Sequence, residues 1–240
     1  MKLPAVILAG GLGTRIASVA GDKPKSLIEF CGKPFLYWQL DLLSRNGVRE
    51  VILCLSHKSE QIIEYISHEN EFKMNIRYSI DGDTQLGTGG SVKKASSLIN
   101  GPFFVLYGDS FLLTDFSRVQ DFYLNQKRRG LMTTIHYTKT YEKPNIQISS
   151  NQILNYSKSI SGKNFTYVDY GLSILTSDCF SSSQGIERFD LVDVFSHLLL
   201  RNELVGFEVG ERYFEIGSPY GVSEFKKYLE RERSAKSEFY

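Results

Sequence analysis

The chain of 240 residues has only three cysteines, Cys31, Cys54 and Cys179, and no C-x-x-C pair. Their odd number and wide spacing exclude a disulfide framework and a cysteine-built zinc site, so a reducing, cytoplasmic setting is expected. Charge of one sign is not in excess either. With 28 basic against 27 acidic residues, no overall field would hold nucleic acid or an anionic membrane. No apolar run is long enough to cross a bilayer, and the first one, Ala5 to Ala9, is too short and too weakly flanked for a secretory signal. The sequons at Asn155-Tyr156-Ser157 and Asn164-Phe165-Thr166 are therefore read as chance matches. His57, His68, His136 and His197 are scattered, and no Ser-His-Asp or Cys-His arrangement is visible among them. Two familiar phosphate loops are also missing. There is no G-x-x-x-x-G-K-[ST], and Ile16 occupies the third glycine position of a G-x-G-x-x-G pattern.

What is present is concentrated at the start. Ala5-Val6-Ile7-Leu8-Ala9 runs into Gly10-Gly11-Leu12-Gly13-Thr14-Arg15, and Pro24-Lys25 follows. An apolar, partly β-branched run that breaks into glycines reads as a buried strand feeding a loop that approaches a phosphate. Glycine lets backbone N–H groups close on an anion where a Cβ would collide. Arg15 and Lys25 add the full positive charges a polyphosphate needs.

In order and spacing, G-G-x-G-T-R followed by P-K is the signature of the sugar nucleotidyltransferases, and this sequence resembles that family over nearly its whole length. The resemblance implies a GT-A-like nucleotidyltransferase fold. Short length, G-K-P-F (residues 32–35) and L-G-T-G-G (residues 86–90) look most like the subgroup of heptose 1-phosphate guanylyltransferases and muramate 1-phosphate uridylyltransferases.

The rest of the chain alternates between strand and helix signals. After the turn at Cys31-Gly32-Lys33-Pro34, Leu36, Leu40 and Leu43 recur at helical spacing up to a stop at Asn46-Gly47. Val51 to Leu55 reads as a second strand, Lys58 to His68 as a helix, and Ile76 to Ile80 as a third strand. A helix is expected to begin near Ser91, just after L-G-T-G-G. Phe103 to Tyr107 is a continuous apolar strand that delivers Gly108-Asp109-Ser110 at its end. A helix is expected from Asp115 to Arg129, ended by Gly130, then a strand from Leu131 to Tyr137. Short alternating segments at 146–148 and 153–156 suggest an antiparallel excursion. Phe189 to Asn202 reads as an amphipathic helix, Leu204 to Val209 as a strand, and Pro219 as the start of a last helix reaching about Glu232. These elements predict one Rossmann-like α/β domain over residues 1–240, three-layered αβα, with a mostly parallel mixed sheet. Residues 1–110 form its nucleotide-binding half, 131–218 its sugar-phosphate half and 219–240 a terminal helix and tail. Ligands in such sheets collect at the carboxyl ends of the strands.

The resemblance also implies roles. Leu8, Gly10, Gly11, Gly13, Thr14 and Arg15 would bind the nucleotide, with Gln85, Gly87 and Thr88 at the base. Arg15, Lys25 and Asp109 are the catalytic set. Asp109, in the family's G-D-[NST] form, would hold Mg2+ together with Glu215, which stands where the family has Asp in F-x-D-I-G-T-P. A longer carboxylate reaches a metal directly or through water. Lys158, the one residue retained from F-x-E-K-P, would contact the sugar phosphate. Asp169 and Gly171, in the N-A-G-x-Y region, would face sugar hydroxyls. The reaction implied is NTP plus sugar 1-phosphate giving NDP-sugar and pyrophosphate, with GTP and a heptose or hexose phosphate favoured. Two alternatives remain open: a cytidylyltransferase for a non-sugar phosphate such as choline phosphate, and a catalytically silent nucleotide-sugar-binding subunit. Homo-oligomerisation is left open.

Overall fold

The computed structural model describes residues 1–11, 16, 21–68, 71–82, 84–138, 143–157 and 164–237. Arg15, Gly13, Thr14 and Lys158 lie outside the described residues.

The first half alternates as its apolar runs require. It contains β1 (Ala5–Leu8), a short hairpin of β2 (Glu29–Phe30) and β3 (Lys33–Pro34), then α1 (Phe35–Arg45) and β4 (Glu50–Leu55). α2 (Ser59–His68), β5 (Asn75–Ile80), α3 (Gly87–Ser96) and β6 (Phe103–Tyr107) follow. The second half holds β7 (Ser110–Leu112), α4 (Phe116–Leu124), β8 (Gly130–His136), β9 (Ile146–Ser149), β10 (Gln152–Tyr156) and β11 (Tyr167–Leu175). It ends with α5 (Leu191–Leu200), β12 (Leu204–Val209), β13 (Tyr213–Glu215) and α6 (Pro219–Ser237).

Nine strands share one sheet in the order β5-β4-β1-β6-β11-β8-β12-β10-β9. The parallel pairings are β5-β4, β4-β1, β1-β6 and β8-β12; the others are antiparallel. The expected mixed sheet is there, with its parallel part gathered mainly in the first half. β9 also pairs with β11, so the second half curls back on itself and covers its own edge.

Side-chain alternation sets the layers. Ala5 and Ile7 of β1 pack with Leu36, Leu40 and Leu43 of α1, Ile62 of α2 and Phe116 of α4. Val6 packs instead with Val92 of α3 and Val194, Phe195 and Leu198 of α5. A third cluster lies under α6, where Phe225 sits 5.0 Å from Phe30, 5.1 Å from Phe35 and 5.0 Å from Phe111, ring centroid to centroid. Such tilted aromatic pairs contribute about 0.5–1.5 kcal/mol each beyond their area. Through Phe111 and Phe214 they brace the β7-β13 pair, which follows directly on Asp109.

Several boundaries differ from expectation, the last helix among them, which runs to Ser237. α4 stops at Leu124, and Gly130 opens β8 opposite Leu204 rather than ending the helix. α5 starts at Leu191, because Asp190 and Asp193 form a reciprocal cap there. α3 starts at Gly87 and so contains the glycines that were expected to precede it.

Candidate active site

β1 leads through α1 to β4 and on to β5, and the chain then crosses back to place β6 on the other side of β1. The reversal between β1 and β6 is where a doubly wound sheet opens a crevice. A cavity of about 420 Å3 lies there, lined by the ends of β1, β4, β5 and β6: Leu8 to Gly11, Cys54 with Ser56, Asp81, and Tyr107 to Asp109.

The floor is backbone on backbone. Gly108 N donates to Leu8 O at 3.0 Å, and Ala9 N donates to Cys54 O at 3.0 Å. A Cβ on Gly108 would lie 2.4 Å from Leu8 O and 2.8 Å from Ala9 Cα, so glycine here answers to the neighbouring strand. Ser56 Oγ donates to Gly10 O at 2.5 Å and fixes the start of the glycine loop, while the space where Gly11 would carry a Cβ is open.

Asp109 leaves this floor beside Lys25. Lys25 lies in a 3-10 turn, Lys25–Leu27, entered through Pro24. Its Nζ stands 2.5 Å from Asp109 Oδ2, with the two side chains 15% and 28% exposed. The Ser110 hydroxyl donates to Asp109 Oδ1 at 3.3 Å. A half-buried ion pair open to a cavity keeps both charges available to an incoming anion or cation. Among the described residues no three His, Cys, Asp or Glu side chains converge into a metal cage. A cation at Asp109 would therefore complete its shell with ligand phosphates and water, as Mg2+ does.

Glu215 is close in the backbone, since β13 pairs with β7 in the register Glu215 opposite Ser110, and Ile216 N donates to Asp109 O at 2.9 Å. Its carboxylate is turned to the start of α6. Oε2 accepts from Gly217 N at 2.6 Å, and Oε1 accepts from the Ser218 hydroxyl.

The opposite end of the cavity is built by α3 and the 187–190 loop. Gly89 N and Gly90 N both donate to Phe189 O, at 2.9 and 3.2 Å. A Cβ on Gly89 would lie 2.4 Å from the Phe189 ring, and one on Gly90 would lie 2.3 Å from Glu187 O. These two glycines admit a loop of the chain itself. Asp190 Oδ1 accepts from Thr88 N at 3.2 Å and from Thr88 Oγ1 at 3.1 Å, and Thr88 Oγ1 in turn accepts from Leu191 N at 2.9 Å. The N-termini of α3 and α5 are thus joined by two side chains. Gln85, Gly87 and Thr88 all line the cavity.

Asp81, Ser56, Tyr107, Arg188 and Asp190 also line it and were not picked out from the sequence. Asp81 accepts from Ser91 Oγ at 2.9 Å and from Leu86 N at 3.2 Å, tying the end of β5 to α3. One signal for it existed: Ile80-Asp81-Gly82 repeats the strand, carboxylate and glycine grouping that singled out Asp109. Burial raises the Tyr107 phenol well above its ordinary pKa, and the carboxylates of Asp169, Asp109 and Asp190 add to the effect. Tyr107 stays protonated between the two halves.

Asp169 and Gly171 are brought together on a β11 bulge rather than into the cavity lining. Asp169 Oδ1 accepts from Gly171 N at 3.0 Å, and Tyr156 OH donates to Oδ2 at 3.4 Å. Gly171 has φ +95°, a conformation that the Asp169 carboxylate stabilises.

The nucleotidyl transferase family model matches residues 4–145. The chain is 29% identical over 218 residues to D-glycero-alpha-D-manno-heptose 1-phosphate guanylyltransferase of Campylobacter jejuni, covering 90% of this chain and 96% of that enzyme. It is 26% identical over 230 residues to mannose-1-phosphate guanyltransferase of Saccharomyces cerevisiae, covering 90% of this chain but 62% of the yeast enzyme. Among solved structures, HddC from Yersinia pseudotuberculosis complexed with GMP-PN superposes with a TM-score of 0.78 at 26% identity, over 95% of this chain and 99% of that one.

Proposed function

The chain belongs to the nucleotidyl transferase family, and on that premise we propose that it transfers a nucleotidyl group from GTP to a heptose or hexose 1-phosphate, releasing pyrophosphate. The observation that carries this reading is the Lys25-Asp109 pair at the switch point of the sheet.

A phosphate monoester has a second pKa of about 6, so the acceptor oxygen is largely ionised at neutrality. It needs alignment more than a general base. Holding two partners in line lowers a barrier by about 7–11 kcal/mol. Lys25 neutralises charge on the α-phosphate and leaving group, and the Gly10–Gly11 backbone cradles the triphosphate; Gly13, Thr14 and Arg15 also bind the nucleotide. Asp109 would hold Mg2+, which would offset charge on the phosphate oxygens. Glu215 would contribute to holding the ion, directly or through water, from a carboxylate anchored at the start of α6. Lys158 binds the acceptor phosphate, and Asp169 with Gly171 shapes the sugar subsite. Residues 1–110 serve the nucleotide and 131–218 the sugar phosphate, in a protein of the cytoplasm.

Guanine is favoured by Asp81. A carboxylate only accepts hydrogen bonds, and guanine presents two adjacent donors, N1–H and the N2 amino group, to such an acceptor. Asp81 ends β5 and Asp109 follows β6, three strand spacings away, or roughly 14 Å.

The test is pyrophosphate release with Mg2+ for GTP, UTP, CTP, ATP and dTTP, each offered with heptose, mannose, glucose and N-acetylmuramate 1-phosphates. Release with GTP and a heptose or mannose phosphate is expected. Silence in every combination, with nucleotide still bound, would overturn the enzymatic reading.

A further inference from the structure

Gln39 is a polar side chain in the apolar face of α1, only 1% exposed. Its Nε2 donates to Tyr107 O at 3.0 Å and to Ser110 O at 2.8 Å. These are the carbonyls on either side of Gly108-Asp109. Because both partners are acceptors, they fix which end of the amide faces them. Oε1 has no hydrogen-bond partner among the described residues. A buried amide with an unmatched oxygen is a poor choice for packing alone, since an apolar side chain of similar volume would avoid that unmet bond.

The same helix also fixes the other member of the ion pair. Phe35 N, at the start of α1, donates to Ile28 O at 2.8 Å, and Ile28 N donates to Lys25 O at 3.1 Å. One rigid element thus holds the Lys25 turn at its first residue and the Asp109 turn one helical turn later. Further backbone ties on the Asp109 turn come from β1, which pairs with Tyr107 and accepts from Gly108 N, and from β13, which pairs with Ser110 and is followed by Ile216 N donating to Asp109 O.

We propose that Gln39 is a positioning residue, which through the Tyr107–Ser110 turn sets the direction of the Asp109 carboxylate relative to Lys25. The proposal rests on the reading of Asp109 as the metal-holding carboxylate. A misplacement of about 1 Å at a reacting centre can cost on the order of a hundredfold in rate.

The test compares Gln39→Met, which keeps length and volume but loses both donors, with Leu43→Val, a packing change in the same helix away from the turn. Initial rates are measured against Mg2+ concentration, GTP binding is measured with and without Mg2+, and thermal unfolding is followed for each protein. Gln39→Met is expected to lower kcat by about tenfold to a hundredfold and to raise the half-saturating Mg2+ concentration about tenfold, with KM for the sugar phosphate unchanged. Leu43→Val should lower only the melting temperature. If Gln39→Met does not fold, Gln39→Glu turns an acceptor toward the same two carbonyls and should shift Mg2+ dependence in the same direction. Wild-type kcat and Mg2+ dependence in a folded Gln39 variant would overturn the proposal. Wild-type turnover in Asp109→Asn would instead overturn the reading on which it rests.

Discussion

The two halves of the sheet solve different problems. In β5-β4-β1-β6 the strands are parallel, and the apolar residues of β4, β1 and β6 are buried on both faces, so the polar atoms of those three strands gather at their ends. In β11-β8-β12-β10-β9 the strands are mostly antiparallel and the sheet curls until β9 meets β11. There, successive residues face different surroundings, and a bulge at Asp169 re-aims the backbone. The first half builds the floor on which Lys25 and Asp109 meet, and the second half closes into a curled sheet with a bulge beside it.

Four substitutions sharpen that contrast. The largest effect is expected from Lys25→Ala, which leaves the sheet intact but removes the cation beside Asp109; kcat should fall by about 10²–10³ with little change in melting temperature, read from steady-state kinetics and thermal unfolding together. Next comes a matched pair. Gly108→Ala drives a methyl into Leu8 O and the Ala9 backbone and should destabilise by about 1–3 kcal/mol. Gly206→Ala in β12 meets first the end of the Ile148 side chain at 2.5 Å, which can rotate away, so chemical denaturation should show a clearly smaller loss. Equal losses would erase the distinction between a rigid and an adaptable half. Asp169→Ala unties Gly171 and Tyr156 and should raise KM for the sugar phosphate about tenfold over that for GTP; the reverse ratio would move the acceptor subsite elsewhere.

The smallest effect lies outside both halves of the site. Asp115 caps α4, and the Ser117 backbone N–H holds its carboxyl below the usual range. A depressed folded pKa means that the cap stabilises above the unfolded value of about 3.9 and is lost as pH falls through the folded one. Asp115→Ala should cost about 1 kcal/mol near neutrality and less in acid, measured by denaturant titration at both pH values.

The sequence was most legible where local chemistry and the final environment agree. Val51 to Leu55 and Phe103 to Tyr107 are buried on both faces, so a continuous apolar run sufficed to identify them. Asn46-Gly47 ended α1 as expected, with Gly47 at φ +80°. Lys25 and Asp109, both picked out from their motifs, meet although 84 residues apart. L-G-T-G-G misled because the reason for Gly89 and Gly90 is contact with Glu187 and Phe189, and no local signal carries a partner so distant in sequence. Arg188 and Asp190 escaped notice for the same reason: in a polar stretch they look like solvated loop residues until α3 and α5 bring them to the cavity wall. The closure of β9 on β11 depends on curvature, which strand periodicity does not encode.

The central claim is that Asp109, held against Lys25 at the β1-β6 switch point, is the group on which nucleotidyl transfer depends. Single-turnover transfer of α-labelled GTP to the sugar phosphate by Asp109→Asn in saturating Mg2+ tests it directly. The account predicts a rate lower by about 10³ with GTP still bound in the absence of metal. Transfer at close to the wild-type rate would contradict it.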